Sequence, residues 1–240
     1  MPFFWKRNTT ARTIPKIIHQ IWFGDQSQRP VDEMDSWKRL NPDWQIKVWT
    51  EEEVKREFGR LKNQRQYRRL AKLYERLHPK VPVLQPRHYL CGRSDIVRYE
   101  ILYRFGGVFV DADAEALRPM DDFFCRNDSF CVYENENYRP GLLANGYLGA
   151  TPGNRLMKAL IQRIKKIKDI TSDEPWKLTG PMLLTDTVRQ LDYKDITIYP
   201  SYYFIPQHYS GESYQGDDTR HIYGTQKWGS TRADFYQSKE

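Results

Sequence analysis

Phe109-Val110-Asp111-Ala112-Asp113 sets two carboxylates directly after a short apolar run, with one alanine between them. Carboxylate oxygens are hard ligands suited to Mn²⁺ or Mg²⁺, ions that take one or two protein carboxylates and complete their shell with water and substrate phosphates. Alanine is small enough to let a diphosphate approach. The signal is weak by itself, because 18 aspartates in 240 residues make roughly one Asp-x-Asp expected by chance. Its neighbourhood has to decide.

Upstream stand Asp95 and Arg98, three apart and so on one face of a helix. A carboxylate there can hold sugar hydroxyls, and a guanidinium can fork onto phosphate or sugar oxygens. The plain alternative is a first-turn carboxylate complementing the helix dipole, with Arg98 as its surface partner. On that alternative, loss of either residue costs only ~0.3–0.5 kcal/mol.

The elements that must position these groups follow from hydrophobic periodicity. Lys16–Trp22 and Gln45–Trp49 read as strands separated by a helix around Trp37. Ile96, Val97, Ile101, Leu102 and Phe105 predict a helix over 93–105, with Ser94 as N-cap and Gly106 as stop. Val108–Val110, Phe130–Tyr133, Tyr147–Ala150 and Ile196–Tyr199 read as further strands. Helices are expected near 154–168 and 181–191. Alternating strands and helices imply an α/β architecture, a single domain over 1–240 with a largely parallel central sheet flanked by helices. Ligands of such sheets sit beyond the carboxyl ends of the strands, where Asp111 falls. Residues 1–12 and 230–240 are expected to be flexible ends.

Charge and composition narrow the function further. The net charge of +7 gathers in a segment from Lys55 to Arg76, a helical pattern broken at Gly59. Its basic face is either simply solvated or makes peripheral contact with an anionic membrane or acidic acceptor. Nucleic acid is disfavoured, since no nucleic-acid motif accompanies the charge. Cys91, Cys125 and Cys131 are too few and too unevenly spaced for a disulfide framework or a zinc site. No signal peptide or transmembrane run is visible, so the chain as given reads as cytoplasmic.

Three stretches together resemble glycosyltransferase family 32, the group of yeast initiating α-1,6-mannosyltransferase and bacterial capsular sugar transferases. They also resemble the core of the clostridial glucosylating toxins. The stretches are Ile14–Gly24, Asn41-Pro42-Asp43-Trp44 leading to Trp49, and Ser94–Asp121. Weaker echoes are Asn145–Ala150, Thr179-Gly180-Pro181, and His221 with Trp228. The resemblance implies a GT-A-like fold and a hexosyltransferase, with a UDP- or GDP-sugar as donor and a glycan or other hydroxyl as acceptor. It further implies Mn²⁺ or Mg²⁺ and retention of anomeric configuration. Carried onto this chain, Trp22 stacks on the donor base, and Asp95 and Arg98 hold the donor sugar. Asp111 and Asp113 serve sugar, ribose and metal. His221 is either a further metal ligand or a satisfied loop histidine, and Asn145 is either a donor-site residue or part of a simple Asn-Gly turn.

In chemical terms, breaking the anomeric C–O bond releases a nucleoside diphosphate whose growing charge needs a cation, with Arg98 the candidate side chain. Two rivals stand beside this reading. Glu134 and Glu136 suit one half of a glycoside hydrolase carboxylate pair. A non-catalytic basic binding module would instead use the Lys55–Arg76 face.

Overall fold

The computed structural model describes residues 13–77, 80, 84–214 and 219–229. The two expected flexible ends lie outside these residues. The strands are β1 (Ile17–Ile21), β2 (Gln45–Trp49), β3 (Gly107–Val110), β4 (Ala114–Ala116), β5 (Ser129–Tyr133), β6 (Leu143–Ala150), β7 (Ile196–Tyr199) and β8 (Gly224–Gln226). The helices are α1 (Val31–Leu40), α2 (Glu51–Phe58), α3 (Gln64–Leu77), α4 (Leu84–Phe105), α5 (Arg155–Lys166), α6 (Pro175–Leu178) and α7 (Pro181–Gln190).

Six strands form one sheet in the order β2-β1-β3-β6-β5-β7, and β4 pairs with β8 in a separate ribbon. In the large sheet β6 runs against both of its neighbours, while the other pairings are parallel. Five of the six strands therefore point the same way. Period-two alternation divides the apolar residues between the two faces. Phe109, Cys131 and Leu148 face a core completed by α4 and α5, whereas Val108, Val110, Phe130 and Val132 face one that contains Trp37, Phe124 and Phe204.

Two expectations about helices change. Helix α4 begins near Leu84, so Ser94 lies in its interior rather than capping it. Gly92 lies within the helix, and its lack of a side chain serves packing. A Cβ there would stand 3.0 Å from Leu70 Cδ1 and 3.1 Å from Pro175 Cβ, so the glycine lets α3 and α6 approach α4. Asp95 and Arg98 thus sit mid-helix, away from the dipole's end. Gly59, by contrast, ends α2 as expected, with φ of 60° and its N–H donating to the Lys55 carbonyl. Gly106, at φ +66°, ends α4 in the same manner.

His19 on β1 ties the sheet to the end of α4. Its Nε2 lies 2.9 Å from the Gly106 carbonyl, and its Nδ1 accepts from Trp49 Nε1 at 3.1 Å. Only the neutral tautomer with hydrogen on Nε2 satisfies both partners. Burial accordingly pushes its pKa down to about 4. The unfolded chain binds a proton near pH 6.5 that the fold refuses, so His19's contribution is complete above pH 6.5 and is lost as pH falls toward 4. The expected loss is on the order of 3 kcal/mol. Denaturant unfolding from pH 4 to 7 should show a shallower rise of stability with pH in His19→Gln than in the wild type. Equal slopes would refute the assignment.

The three cysteines are free thiols. Among the described residues, no helix is long and apolar enough to cross a membrane.

Candidate functional site

A cleft of about 720 Å³ opens beyond the carboxyl ends of β1 and β3. Trp22 follows β1 and Asp111 follows β3, so the parallel pairing of these strands brings both residues to the same edge. Asp95, Arg98, Asp113 and Asn145 also line the cleft.

Its floor is a buried polar network. Arg98 stands over the Phe109 ring at 3.9 Å, donates through Nη2 to Asp111 Oδ1 at 2.9 Å, and donates through Nη1 to the Asn145 carbonyl. Asp95 lies 3.6 Å from the same guanidinium and accepts from Asn145 Nδ2 at 2.8 Å and Thr179 Oγ1 at 2.9 Å. Burial pushes the Asp95 carboxyl above its ordinary value, against the pull of Arg98 and of the two hydrogen bonds. Both side chains are almost wholly buried, with 8% of Asp95 and 5% of Arg98 exposed. That removes the solvated surface pair from consideration, since desolvated charges held by several partners cost far more to disturb than exposed ones.

Asn145-Gly146 is no turn. Both residues lie inside β6, where the pairing with β5 shifts register between Cys131 and Val132. Gly146 is required by the motif: a Cβ there would stand 2.4 Å from Asp111 Oδ2. The Asn-Gly pair therefore seats the first motif carboxylate instead of reversing the chain. Gly180 plays a similar part for Asp95, because its added Cβ would lie 3.2 Å from Asp95 Oδ2.

The second motif carboxylate is held by the C-terminal stretch. The β4–β8 ribbon pairs Ala114 with Gln226, and the Lys227 N–H donates to the Asp113 carbonyl at 3.1 Å. Gln226 Nε2 then donates to Asp113 Oδ1 at 2.8 Å, and the Gly229 N–H to Oδ2 at 2.6 Å. Burial, together with the charge of Asp111, pushes the Asp113 carboxyl well above the usual carboxylate range. The pair is short of positive charge despite Arg98.

His221 is elsewhere. Its ring stacks on Tyr203 at 5.3 Å and 14°, close to Phe123, and its Nδ1 lies 3.3 Å from the Tyr223 hydroxyl. It is not among the residues lining the cleft, and among the described residues no three His, Cys, Asp or Glu side chains converge as an ion site. Of the two readings of His221, this aromatic setting is that of the loop histidine, and the residue lies outside those that line the cleft. The C-terminal stretch reaches the Asp113 carboxylate through Gln226 and Gly229.

Trp22 is half-buried and lines the cleft, its Nε1 donating to the Asp25 carbonyl at 2.9 Å. The cleft is also lined by a group that sequence reasoning missed in large part: Glu134, Arg139, Trp176, Tyr209 and Trp228. Arg139 lies 5.1 Å from the Trp176 ring and 3.3 Å from Glu134 Oε1. Glu134 is buried and its carboxyl is pushed up by that burial, with Arg139 opposing. Glu136 is not paired with it as an acid. Both of its oxygens accept from Ser201, one from the N–H and one from the hydroxyl. Trp176 and Tyr209 carried no periodic or motif signal; Trp228 had one only through its spacing from His221.

Residues 27–130 match the family described as the glycosyltransferase sugar-binding region containing the DXD motif. Inositol phosphoceramide mannosyltransferase 1 of Schizosaccharomyces pombe is 27% identical over 157 residues, 64% of this chain and 43% of the relative. Inositol phosphoceramide mannosyltransferase 3 of the same yeast is 34% identical over 112 residues, 46% of this chain and 27% of the relative. An uncharacterized glycosyltransferase of Acanthamoeba polyphaga mimivirus is 24% identical over 200 residues, covering 80% and 73%. The chain spans less than half the length of the two yeast relatives. Among solved structures, PaToxG glycosyltransferase superposes with a TM-score of 0.52 at 17% identity, over 76% of this chain and 71% of that one. This likeness is one of fold, and the architecture is GT-A-like. The matched stretch carries Asp111-Ala112-Asp113, the DXD motif that the description of this family names.

Proposed function

We propose that the chain is a glycosyltransferase that moves a hexose from a UDP- or GDP-sugar to a hydroxyl acceptor such as a glycan, with retention of configuration. The observation that carries this reading is the strand-end Asp111–Asp113 pair tied into the buried Asp95–Arg98–Asn145 network on the floor of one cleft.

The residues present fit a divalent ion. Two carboxylates converge with too little positive charge to balance them, and no third protein ligand joins them among the described residues. Mn²⁺ or Mg²⁺ takes such a pair and draws its remaining oxygens from a diphosphate and water. Asp113, and in part Asp111, would hold the ion, which when bound would offset charge on the leaving diphosphate. Gln226 and the Gly229 N–H aim the Asp113 carboxylate. Arg98 holds Asp111 in place and keeps positive charge beneath the donor site.

Trp22 supplies a flat apolar wall for the nucleotide base, and Asp95 with Asn145 supplies polar groups for the sugar. Trp176, Tyr209 and Trp228, which line the same cleft, would serve the acceptor, since aromatic faces suit the apolar faces of sugar rings. The names of the yeast relatives put mannose first among the sugars to be tested. A hydrolase using Glu134 and Glu136 is disfavoured because Ser201 engages both Glu136 oxygens.

The test is a panel of UDP- and GDP-sugars with Mn²⁺ and no acceptor, scored for slow release of free sugar and for thermal shift. One donor should be hydrolysed and should raise the melting temperature in a metal-dependent way. No response to any nucleotide sugar would defeat the reading.

A further inference from the structure

Helix α3 has two working faces. Tyr74 lines the cleft, while Arg65, Arg68, Arg69 and Lys72 line a second concavity of about 840 Å³ with Arg60 and the 167–170 segment after α5. Lys168 completes the basic lining. The concavity has a fixed floor: buried Gln66 donates its amide to the Lys165 carbonyl at 3.2 Å and the Ile167 carbonyl at 3.4 Å, clamping that segment to α3.

The charge of this hollow is almost unopposed. Among the described residues its only acidic residue is Asp169, whose carboxyl is held below the usual range by hydrogen bonds from the Thr171 hydroxyl and N–H, with Arg69 adding a smaller pull. Arg65, Arg68, Arg69 and Lys72 repeat at spacings of three and four, where like charges repel along a helix. No carboxylate among the described residues comes within ion-pair distance of any of the six cations, although Arg56 nearby has Glu53 and Glu57. A bound polyanion would relieve that repulsion.

We propose that this concavity binds a compact group carrying two or more phosphates, whether on a phosphorylated lipid headgroup or as free polyphosphate. Arginine forks and lysine suit phosphate oxygens, and several cations converging on one hollow match clustered charge better than a single phosphate. A nucleic-acid strand fits less well, because no aromatic side chain among the described residues lines the hollow to stack a base. The site is separate from the transfer cleft and does not depend on the activity proposed for it.

The test titrates tripolyphosphate in metal-free buffer into the wild type and into Arg65→Gln/Arg69→Gln/Lys72→Gln. Each cation at an anionic surface is worth about fivefold in affinity, so the triple variant should bind about 100-fold more weakly. A variant with the same charge loss elsewhere, Lys38→Gln/Arg39→Gln/Lys194→Gln, should stay near wild type. All the replaced side chains are exposed, so melting temperatures should hold. If the first variant does melt early, Arg69→Gln alone carries the test at about fivefold.

A parallel arm measures co-sedimentation with phosphatidylcholine vesicles containing phosphatidylinositol bisphosphate. Vesicle binding that follows the same variants and is displaced by tripolyphosphate identifies a headgroup, and tripolyphosphate binding without vesicle binding identifies a soluble ligand. The proposal is overturned by absence of saturable binding in the wild type, by equal loss in both triple variants, or by preference for a single-stranded oligonucleotide of equal charge.

Discussion

Asp113→Ala is expected to abolish sugar transfer, lowering the rate by roughly 10³-fold or more, because it removes the carboxylate best placed to hold the ion that offsets leaving-group charge. The loss should appear first in binding. Affinity for the nucleoside diphosphate should no longer rise on adding Mn²⁺, while metal-independent affinity persists through the Trp22 wall. The fold should survive. The variant leaves Gln226 Nε2 and the Gly229 N–H without their acceptor, a cost of about 1–3 kcal/mol, but it also removes a carboxylate that burial disfavours. Calorimetric titration of UDP and GDP with and without Mn²⁺, alongside a melting curve, checks both halves. Undiminished Mn²⁺-dependent binding would remove Asp113 from the metal site. Asp111→Asn should be nearly as damaging, yet differently, because Asp111 also anchors Arg98.

Arg98→Lys is expected to lower kcat/KM by at least ~100-fold, about 2.7 kcal/mol of transition-state stabilisation, although the charge is kept. Two of the guanidinium's nitrogens act at once, one on Asp111 Oδ1 and the other on the Asn145 carbonyl, while its flat face covers Phe109. A single ammonium cannot reproduce that fork. Because the group is buried, stability should also fall, by about 1–3 kcal/mol, unlike the negligible change expected of a surface pair. The informative comparison is between substrates. Asp95→Asn should weaken binding of the intact donor more than of the bare diphosphate, and Arg98→Lys should affect both. Near-wild-type turnover in Arg98→Lys would reduce the buried network to a purely structural role.

The strand-end position of the motif was legible from local pattern, since Val108-Phe109-Val110 is a short apolar run that ends at Asp111. The same holds for β2 and β7, whose ends match the periodicity. The extent of α4 was not legible, because Gly92 has the local look of a break and only the approach of Leu70 and Pro175 explains it. The Asn145-Gly146 pair has the local chemistry of a turn, and only the pairing of β6 with its neighbours makes it part of a strand, with the nearby Asp111 carboxylate explaining the glycine.

The residue types and their near spacing by themselves determined the α/β alternation, the basic face of α3, and the candidacy of Asp95, Arg98, Asp111 and Asp113. These rest on chemistry and on periods of two and 3.6 residues, which are local properties of the chain. The tertiary structure decided that Asp95 and Arg98 are buried, that Asn145 joins them while Arg98 reaches the motif at Asp111, and that Gln226 and Gly229 grip Asp113. It also folded the segment after α5 against α3, making a hollow of what reads in sequence as a solvated face. Most of these contacts join residues from 47 to 116 positions apart, and their geometry depends on how strands and helices pack. A local window contains neither partner of such a pair together, so its physical reason becomes visible only after the chain has closed on itself.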